Sequence, residues 1–447
     1  MYLNVHSQYS LRYGTLSIPE LLAEATDRGV TQLVLTDINN STGIMEFMRE
    51  CNKREIKPIG GIEFRRDKQL LYIGIARNKE GMKELNEFLT EHNLQQKELP
   101  DMPDDFKHCF MIYPFNLTRV LKENEFLGIR FDELHLLHGA NLSKVKSRLV
   151  VLQPVVFTGK IQYRLHEYLR CIELNTLLSK ITAADKCTDQ DSFLPPGQLE
   201  AKFSKYPFIL DNTQSLMNQC VMDYEQDKIK LNRRTFTDSK ENDQALLEQL
   251  AMKGLVYRYG SNHQQAIKKV REELQVIFDQ NFCTYFLITW DVIQYSMRQG
   301  YYHVGRGSGA NSTVAYCLQI TEVDPLALDL YFERFLNNQR SSPPDFDIDY
   351  SWDERENVQN YIFETYGSDR RTALLGTMST FKDRSVIREI GKVIGLPKAE
   401  IDGFTDRTQE AANKNNPTFK KIMLVYELMA NMPNQRDQHA FLIKLFE

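Results

Sequence analysis

The sequence predicts an α/β fold built on a parallel sheet or barrel, joined to a second half rich in helix. Three observations lead there. Short apolar runs alternate with helical periods along the first part, as strands joined by crossover helices require. Residues Gln32 to Thr36 form a nearly unbroken apolar run, the mark of a strand buried on both faces. Near Asp223 to Asn232 the rhythm stops and long helical periods replace it, which sets the main domain boundary near residue 230.

The elements follow in order. Tyr2 to Val5 reads as a strand. Ser17-Ile18-Pro19-Glu20 is a capping box, with Ser17 as cap and Glu20 reaching back to it. The helix it opens buries Leu21, Leu22 and Ala25 and stops near Gly29. Ile44 to Lys53 is a second helix. Pro58 to Phe64 and Leu70 to Ala76 are strands, and Gly81 to His92 is a helix. Leu99 to Leu149 is a looser stretch of mixed polarity, and the rhythm returns at Val150 to Thr158. Pro195-Pro196-Gly197 marks a turn before a short helix. His263 to Gln280 and Tyr285 to Gln299 are long helices, and the segment from about Lys382 to Leu445 is helical and polar.

Composition limits the function classes. The 447 residues are 42% hydrophobic and 26% charged, with a net charge of −5, which is ordinary for a folded globular chain. Bulk charge neither requires nor excludes a nucleic-acid partner, because a basic face suffices. The seven cysteines lie too far apart for a zinc knuckle and are expected as reduced, buried thiols of a cytoplasmic protein. The first residues lack the pattern of a secretory leader, and no apolar run reaches the roughly 18 residues of a membrane span.

The sharpest motif is Pro344-Asp345-Phe346-Asp347-Ile348-Asp349-Tyr350. On a strand, alternate side chains share a face. Asp345, Asp347 and Asp349 therefore point one way, and Phe346, Ile348 and Tyr350 anchor the other way. Residues two apart stand about 6.5–7 Å apart, so neighbouring carboxylates can converge on a pair of metal ions; residues four apart, at about 13 Å, cannot easily do so. Like charges stacked in this way call for a hard cation, and Mg²⁺ is the natural candidate. The plainer alternative, a polar outer face, suits Asp poorly because Asp disfavours strands.

Some forty residues earlier, Val304-Gly305-Arg306-Gly307-Ser308-Gly309-Ala310-Asn311-Ser312 precedes the helical pattern Thr313 to Gln319. Glycines let the backbone approach an anion closely, and amides at the helix start add donors. Arg306 matches phosphate oxygens. The segment lacks the ending of a Walker loop. With the aspartate strand it makes a nucleotidyl-transfer constellation, one part for a triphosphate and one for its metals. Arg334 and Arg340 lie between the two.

The runs Gly305 to Tyr316, Ile320 to Leu336 and Pro343 to Tyr350, with Leu287 to Asp291 and Val386 to Gly391, resemble the C-family polymerases, the bacterial DNA polymerase III alpha subunits. The resemblance covers essentially the whole chain. It implies a PHP-type distorted (β/α)7 barrel over residues 1–230. The first part of an α+β palm similar to the polymerase-beta-like nucleotidyltransferases follows over 231–376, then a helical thumb-like region over 377–447. By family position, Asp345 and Asp347 are the first two catalytic, metal-binding aspartates. The resemblance likewise puts Gly307 and Ser308 at the triphosphate-binding positions and Arg334 and Arg340 at the arginines near the incoming nucleotide; Arg306, by its own chemistry, joins them as a nucleotide-binding candidate. Asp349 is an acidic position outside the catalytic pair.

Two departures from the family pattern matter. The family's His-x-His, Thr-Asp-His and late Asp-x-His read here as Asn4-Val5-His6, Thr36-Asp37-Ile38 and Lys160-Ile161-Gln162, while Glu63 survives. Lysine and isoleucine cannot ligate a metal cluster. His6, Asp37 and Glu63 are thus expected as relics with structural hydrogen bonds in a metal-free scaffold. The family's third catalytic aspartate lies on a later strand, and after Gln438-His439-Ala440 the residues to Glu447 do not continue the family pattern.

The resemblance therefore implies template-directed DNA synthesis with Mg²⁺, primer-template and dNTP, beside a sliding clamp and a proofreading subunit. This chain alone is expected to extend primers inefficiently. Two alternatives stand beside that reading: a non-catalytic module binding DNA or replisome subunits, and a PHP phosphoesterase. Lys382, Arg384, Arg388, Lys420 and Lys421 are candidates for duplex phosphate contacts, or ordinary solvated charges.

Overall fold

The computed structural model describes residues 1–103, 105–222, 235–337, 345–367, 372, 374, 378–382, 384–406, 416–429 and 432. The chain forms two compact units, one from Met1–Tyr224 with Leu374–Phe446, the other from Glu225–Ala373.

The first unit is a curled sheet clothed in helices. Its strands are β1 (Asn4–Val5), β2 (Gln32–Leu35), β3 (Lys57–Arg66), β4 (Gln69–Ala76), β5 (Cys109–Pro114), β6 (Glu125–Ile129), β7 (Leu149–Val151) and β8 (Pro154–Val155). Six of them run in the order β2-β3-β4-β5-β6-β7, and β1 pairs in parallel with β8. The amides of Val34 and Thr36 bond to the carbonyls of Tyr2 and Val5, which carries the curl on from β2 to β1. The sheet is mixed rather than wholly parallel. β3 and β4 form an antiparallel hairpin through Asp67-Lys68, with Asp67 at φ 54°, and β4 pairs antiparallel with β5. A two-residue turn permits the hairpin where a parallel partner would need a crossover. β5 and β6 lie in the stretch expected to be loose.

Helices α1 (Ile18–Asp27), α2 (Ile44–Asn52), α3 (Lys79–Leu94), α4 (Lys160–Glu173), α5 (Pro196–Lys202) and α6 (Pro207–Asn218) complete this part. The capping box of α1 forms as the sequence indicates: Glu20 N–H donates to Ser17 Oγ, and Ser17 N–H donates to Glu20. Strand residues feed two cores. Leu33, Leu35 and Phe64 pack with Leu21, Phe47 and Leu85 from α1–α3, whereas Val34, Ile73 and Ile112 pack with Leu216 and Met217 of α6. Burial of both faces accounts for the unbroken apolar runs.

The second unit holds helices α7 (Lys240–Tyr259), α8 (Gln264–Asp279), α9 (Cys283–Gln299), α10 (Thr313–Cys317) and α11 (Arg355–Tyr366). Around them stand β9 (His303–Arg306) and β10 (Asp347–Tyr350), an antiparallel pair. The core joins Leu247, Val270, Phe286, Val314 and Phe335. Tyr361 and Tyr366 of α11 both donate to Asp291 of α9, at 2.7 and 2.6 Å.

The helices α12 (Arg384–Ile394), α13 (Lys398–Thr405) and α14 (Pro417–Met429) return to the first unit. Val386, Ile390, Phe419 and Ile422 form one cluster with Leu165, Leu169 and Ile172 of α4, and Leu178 N–H donates to the Val393 carbonyl. All seven cysteines are buried free thiols. Among the described residues, no helix is long and apolar enough to cross a membrane.

Candidate active site

The second unit builds its site on the β9–β10 pair. Asp345, Asp347 and Asp349 are exposed, while Phe346, Ile348 and Tyr350 are half-buried, so the alternation read from the sequence is the alternation in space. The Phe346 ring lies 5.1 Å from Phe286 and 5.1 Å from Phe335, which fixes the back of the strand in the core. Tyr350 is tied by its hydroxyl to Ser296 Oγ at 2.9 Å.

Register then brings the glycine-serine turn to the aspartates. Asp347 stands opposite Arg306, and Asp349 opposite Val304. Arg306 Nε donates to Asp349 Oδ2 at 2.7 Å, and its Nη1 lies 3.7 Å from Asp347 Oδ2. The two carboxylates hold the Arg306 guanidinium above its ordinary pKa, Asp349 first. The chain then turns through Gly307, at φ +69°, where a Cβ would stand 2.5 Å from Asp347 Oδ2. Gly307 is thus required twice, by its backbone and by its neighbour. Ser308 follows, half-buried, with its carbonyl accepting from Asn311.

The amides at the start of α10 are not free donors, contrary to the sequence expectation. Glu273 of α8 takes them. Its carboxylate accepts from Thr313 N–H at 2.9 Å, Val314 N–H at 3.0 Å and Ser312 Oγ at 2.8 Å. Burial pushes the Glu273 carboxyl up, and the two amides and the hydroxyl oppose that. Sequence reading missed Glu273, because the only local signal is an acid on the apolar face of a helix.

Arg334 is exposed on the short helical turn Phe332–Arg334, whose next residue, Phe335, packs under Phe346. Arg340 lies outside the described residues, as do Gln438, His439 and Ala440. Exposed carboxylates are hard donors of the kind Mg²⁺ takes, and Asp345 and Asp347 would supply two. Asp349 is already engaged by Arg306. Among the described residues, no group of three or more His, Cys, Asp or Glu side chains could hold a metal ion.

The first unit gathers His6, Asp37 and Glu63 just beyond or along strands β1, β2 and β3, all buried. Each is engaged. Asp37 accepts from Ser7 N–H and Oγ, both at 2.7 Å, and from Ser10 Oγ at 2.6 Å. Burial raises its pKa, and the serine bonds oppose the rise. Glu63 accepts from Asn4 Nδ2 at 2.8 Å, lies 3.3 Å from His6 Nε2, and is paired with Arg65. Burial would raise Glu63, but Arg65 and then His6 outweigh it and hold the carboxyl at about 2.

The strand register shifts between Phe64 and Arg65, and the Arg65 guanidinium sits 4.4 Å from the Tyr13 ring centre. A cationic side chain therefore occupies the charge-balancing place at Glu63. His166, also buried, bonds through Nδ1 to the Tyr13 carbonyl at 2.7 Å and accepts from Cys187 N–H at 2.9 Å. Lys160 and Ile161 open α4 on an exposed face.

Comparison with known proteins finds two family matches, the second of which runs on from the second unit into the helices α12–α14 of the first. Residues 3–172 match the PHP domain, and residues 245–445 match the bacterial DNA polymerase III alpha NTPase domain. The chain is similar to the DNA polymerase III subunit alpha of Ureaplasma parvum, 30% identical over 98% of this chain and 45% of that one. It is 28% identical to the error-prone DNA polymerase of Symbiobacterium thermophilum, over 91% of this chain and 42% of that one. With the DNA polymerase III subunit alpha of Halalkalibacterium halodurans it shares 29% identity, over 100% of this chain and 42% of the relative. The chain thus spans less than half the length of these curated relatives.

Proposed function

We propose, for a chain that joins a PHP domain to a bacterial DNA polymerase III alpha NTPase domain, that the second unit binds a dNTP with Mg²⁺ for template-directed DNA synthesis. The observation that carries this is the seat of Gly307 and Arg306 directly against Asp347. In this reading Asp345 and Asp347 hold the metal ions, and Gly307 and Ser308 receive the triphosphate. Arg306, Arg334 and Arg340 neutralise it.

Mg²⁺ held by Asp345 and Asp347 would supply Lewis acidity at the phosphates and at the primer 3′-hydroxyl. The chain's own groups position and neutralise. Before nucleotide arrives, Arg306 offsets the charge of Asp347 and Asp349, so repulsion on the strand is contained. An arriving phosphate offers Arg306 a bidentate partner, and Asp349 keeps it within reach. DNA primer-template and replisome subunits are the partners this reading implies.

A second reading is binding of DNA or replisome subunits without extension; the contacts of Arg306 with both Asp347 and Asp349 are compatible with it, since they occupy carboxylates that a metal would need. A phosphoesterase in the first unit is disfavoured by the engagement of Glu63 with Arg65.

The test is Mg²⁺-dependent dNTP binding and primer extension by purified chain. Asp345→Ala and Asp347→Ala are expected to abolish nucleotide-dependent metal binding with the fold intact, and Asp349→Ala to weaken it only severalfold. Equal loss at all three, or none, would overturn the assignment. DNA binding without extension would select the second reading.

A further inference from the structure

We propose that Glu273 is a positioning residue for the phosphate-binding turn: it pins the joint between that turn and α10, and so fixes where Gly307 stands against Asp347. The inference rests on the nucleotide reading above and deepens it.

Glu273 lies on the buried stripe of α8, between Val270 and Ile277, with no exposed surface. A carboxylate there is strongly unfavourable unless its oxygens are bonded. Both oxygens are used, on Ser312 Oγ, Thr313 N–H and Val314 N–H, forty residues along the chain.

A five-residue helix does not require this. Ser312 already caps α10 locally, accepting from Ala315 N–H at 3.1 Å. What the distant carboxylate adds is a tether from α8 to the end of the turn Gly307–Asn311. The other end is held too. The Thr321 hydroxyl donates to the Gly305 carbonyl at 2.9 Å, and a Cβ at Gly309 would stand 3.0 Å from the Phe346 ring. The turn is therefore clamped between Glu273 and the back of the aspartate strand.

There is a consequence for the ligand. Because Glu273 occupies the Thr313 and Val314 amides, a triphosphate is gripped by the turn and Arg306, and α10 offers it no charge-balancing amides.

The experiment uses the whole purified chain, a fluorescent dATP analogue with Mg²⁺, thermal melting, and amide exchange over residues 305–314. Glu273→Gln keeps the volume but turns donors toward donors. It is expected to weaken Mg²⁺·dATP about tenfold, the scale of one charge-assisted hydrogen bond, and to speed exchange in the turn. Ser312→Ala removes one of the three bonds together with the local cap on Ala315 N–H and is expected to weaken binding about two- to threefold, with Ser312→Gly as the control that removes the same hydroxyl at a lower capping cost; the pair carries the test should Glu273→Gln fail to fold.

A folded Glu273→Gln chain with lowered melting but wild-type affinity would reduce Glu273 to a structural role and overturn the proposal. So would a Ser312→Ala chain with unchanged affinity and exchange. Failure of the underlying reading looks different: the wild type itself then binds no Mg²⁺·dATP, and Arg306→Ala behaves identically to it.

Discussion

A Cβ placed on Gly307 would stand 2.5 Å from the Oδ2 of Asp347, so the glycine-serine turn and the aspartate strand are in direct contact. Gly307 also holds φ +69°, which side chains other than glycine rarely adopt. Gly307→Ala is therefore expected to destabilise the fold by about 1 kcal/mol through the backbone alone. Nucleotide affinity should fall by about tenfold or more, since the carboxylate must move. Urea melts and nucleotide titration measure the two effects separately. An alanine variant with wild-type affinity would separate the turn from the strand functionally.

Arg65 balances the charge of buried Glu63 in the first unit. Arg65→Ala should cost about 3–5 kcal/mol, because a carboxylate is left in the core with fewer partners. Arg65→Ala with Glu63→Gln should recover part of that loss, since the unpaired charge is gone. Strictly additive losses in denaturant melts would show that the two side chains do not act as a pair.

His166 gives the stability a pH dependence. Burial lowers its pKa from 6.5 to about 3, and its Nε2 accepts from Cys187 N–H, so the folded state keeps it neutral. Below pH 6.5 the unfolded chain binds a proton that the folded chain does not. Stability is thus complete above that pH, falls as pH drops through it, and stops falling near pH 3. At pH 5 the loss is about 2 kcal/mol. Urea midpoints at pH 7.5 and 5 should differ more for wild type than for His166→Gln. An equal difference in both would remove His166 as the cause.

The first unit is expected to show no phosphoesterase activity with Mn²⁺ or Zn²⁺, because His6, Asp37 and Glu63 are already bonded inside the protein. Purified chain and a DNA or phosphodiester substrate suffice for the assay. Robust cleavage that disappears in Glu63→Ala would contradict this.

Local chemistry was legible in the sequence. The Ser17–Glu20 box and the alternation from Asp345 to Tyr350 depend on neighbours a few residues apart, and both read directly. β5 and β6 were missed because a six-residue and a five-residue run, the second broken by Gly128, sit among polar linkers. Helix α7 was missed because its apolar residues are spread around the helix and do not gather on one face: Leu247, Ala251 and Leu255 are buried while Val256 and Tyr257 are exposed, so no clear 3.6-residue stripe shows in the sequence. The β3–β4 hairpin was read as two strands without its antiparallel sense, which the two-residue turn decides. Glu273 bonding to Thr313, and α12 packing on α4, join residues far apart in the chain. No local pattern carries such contacts.

The most direct measurement is iron-mediated affinity cleavage: Fe²⁺ replaces Mg²⁺ on the purified chain with a dNTP present, and ascorbate with peroxide cuts the backbone near the bound ion. Cuts are expected around residues 305–309 and 345–349 together, dependent on the nucleotide and absent in Asp347→Asn. Cuts confined to the neighbourhood of Glu63, or near only one of those two segments, would contradict a shared metal-nucleotide site.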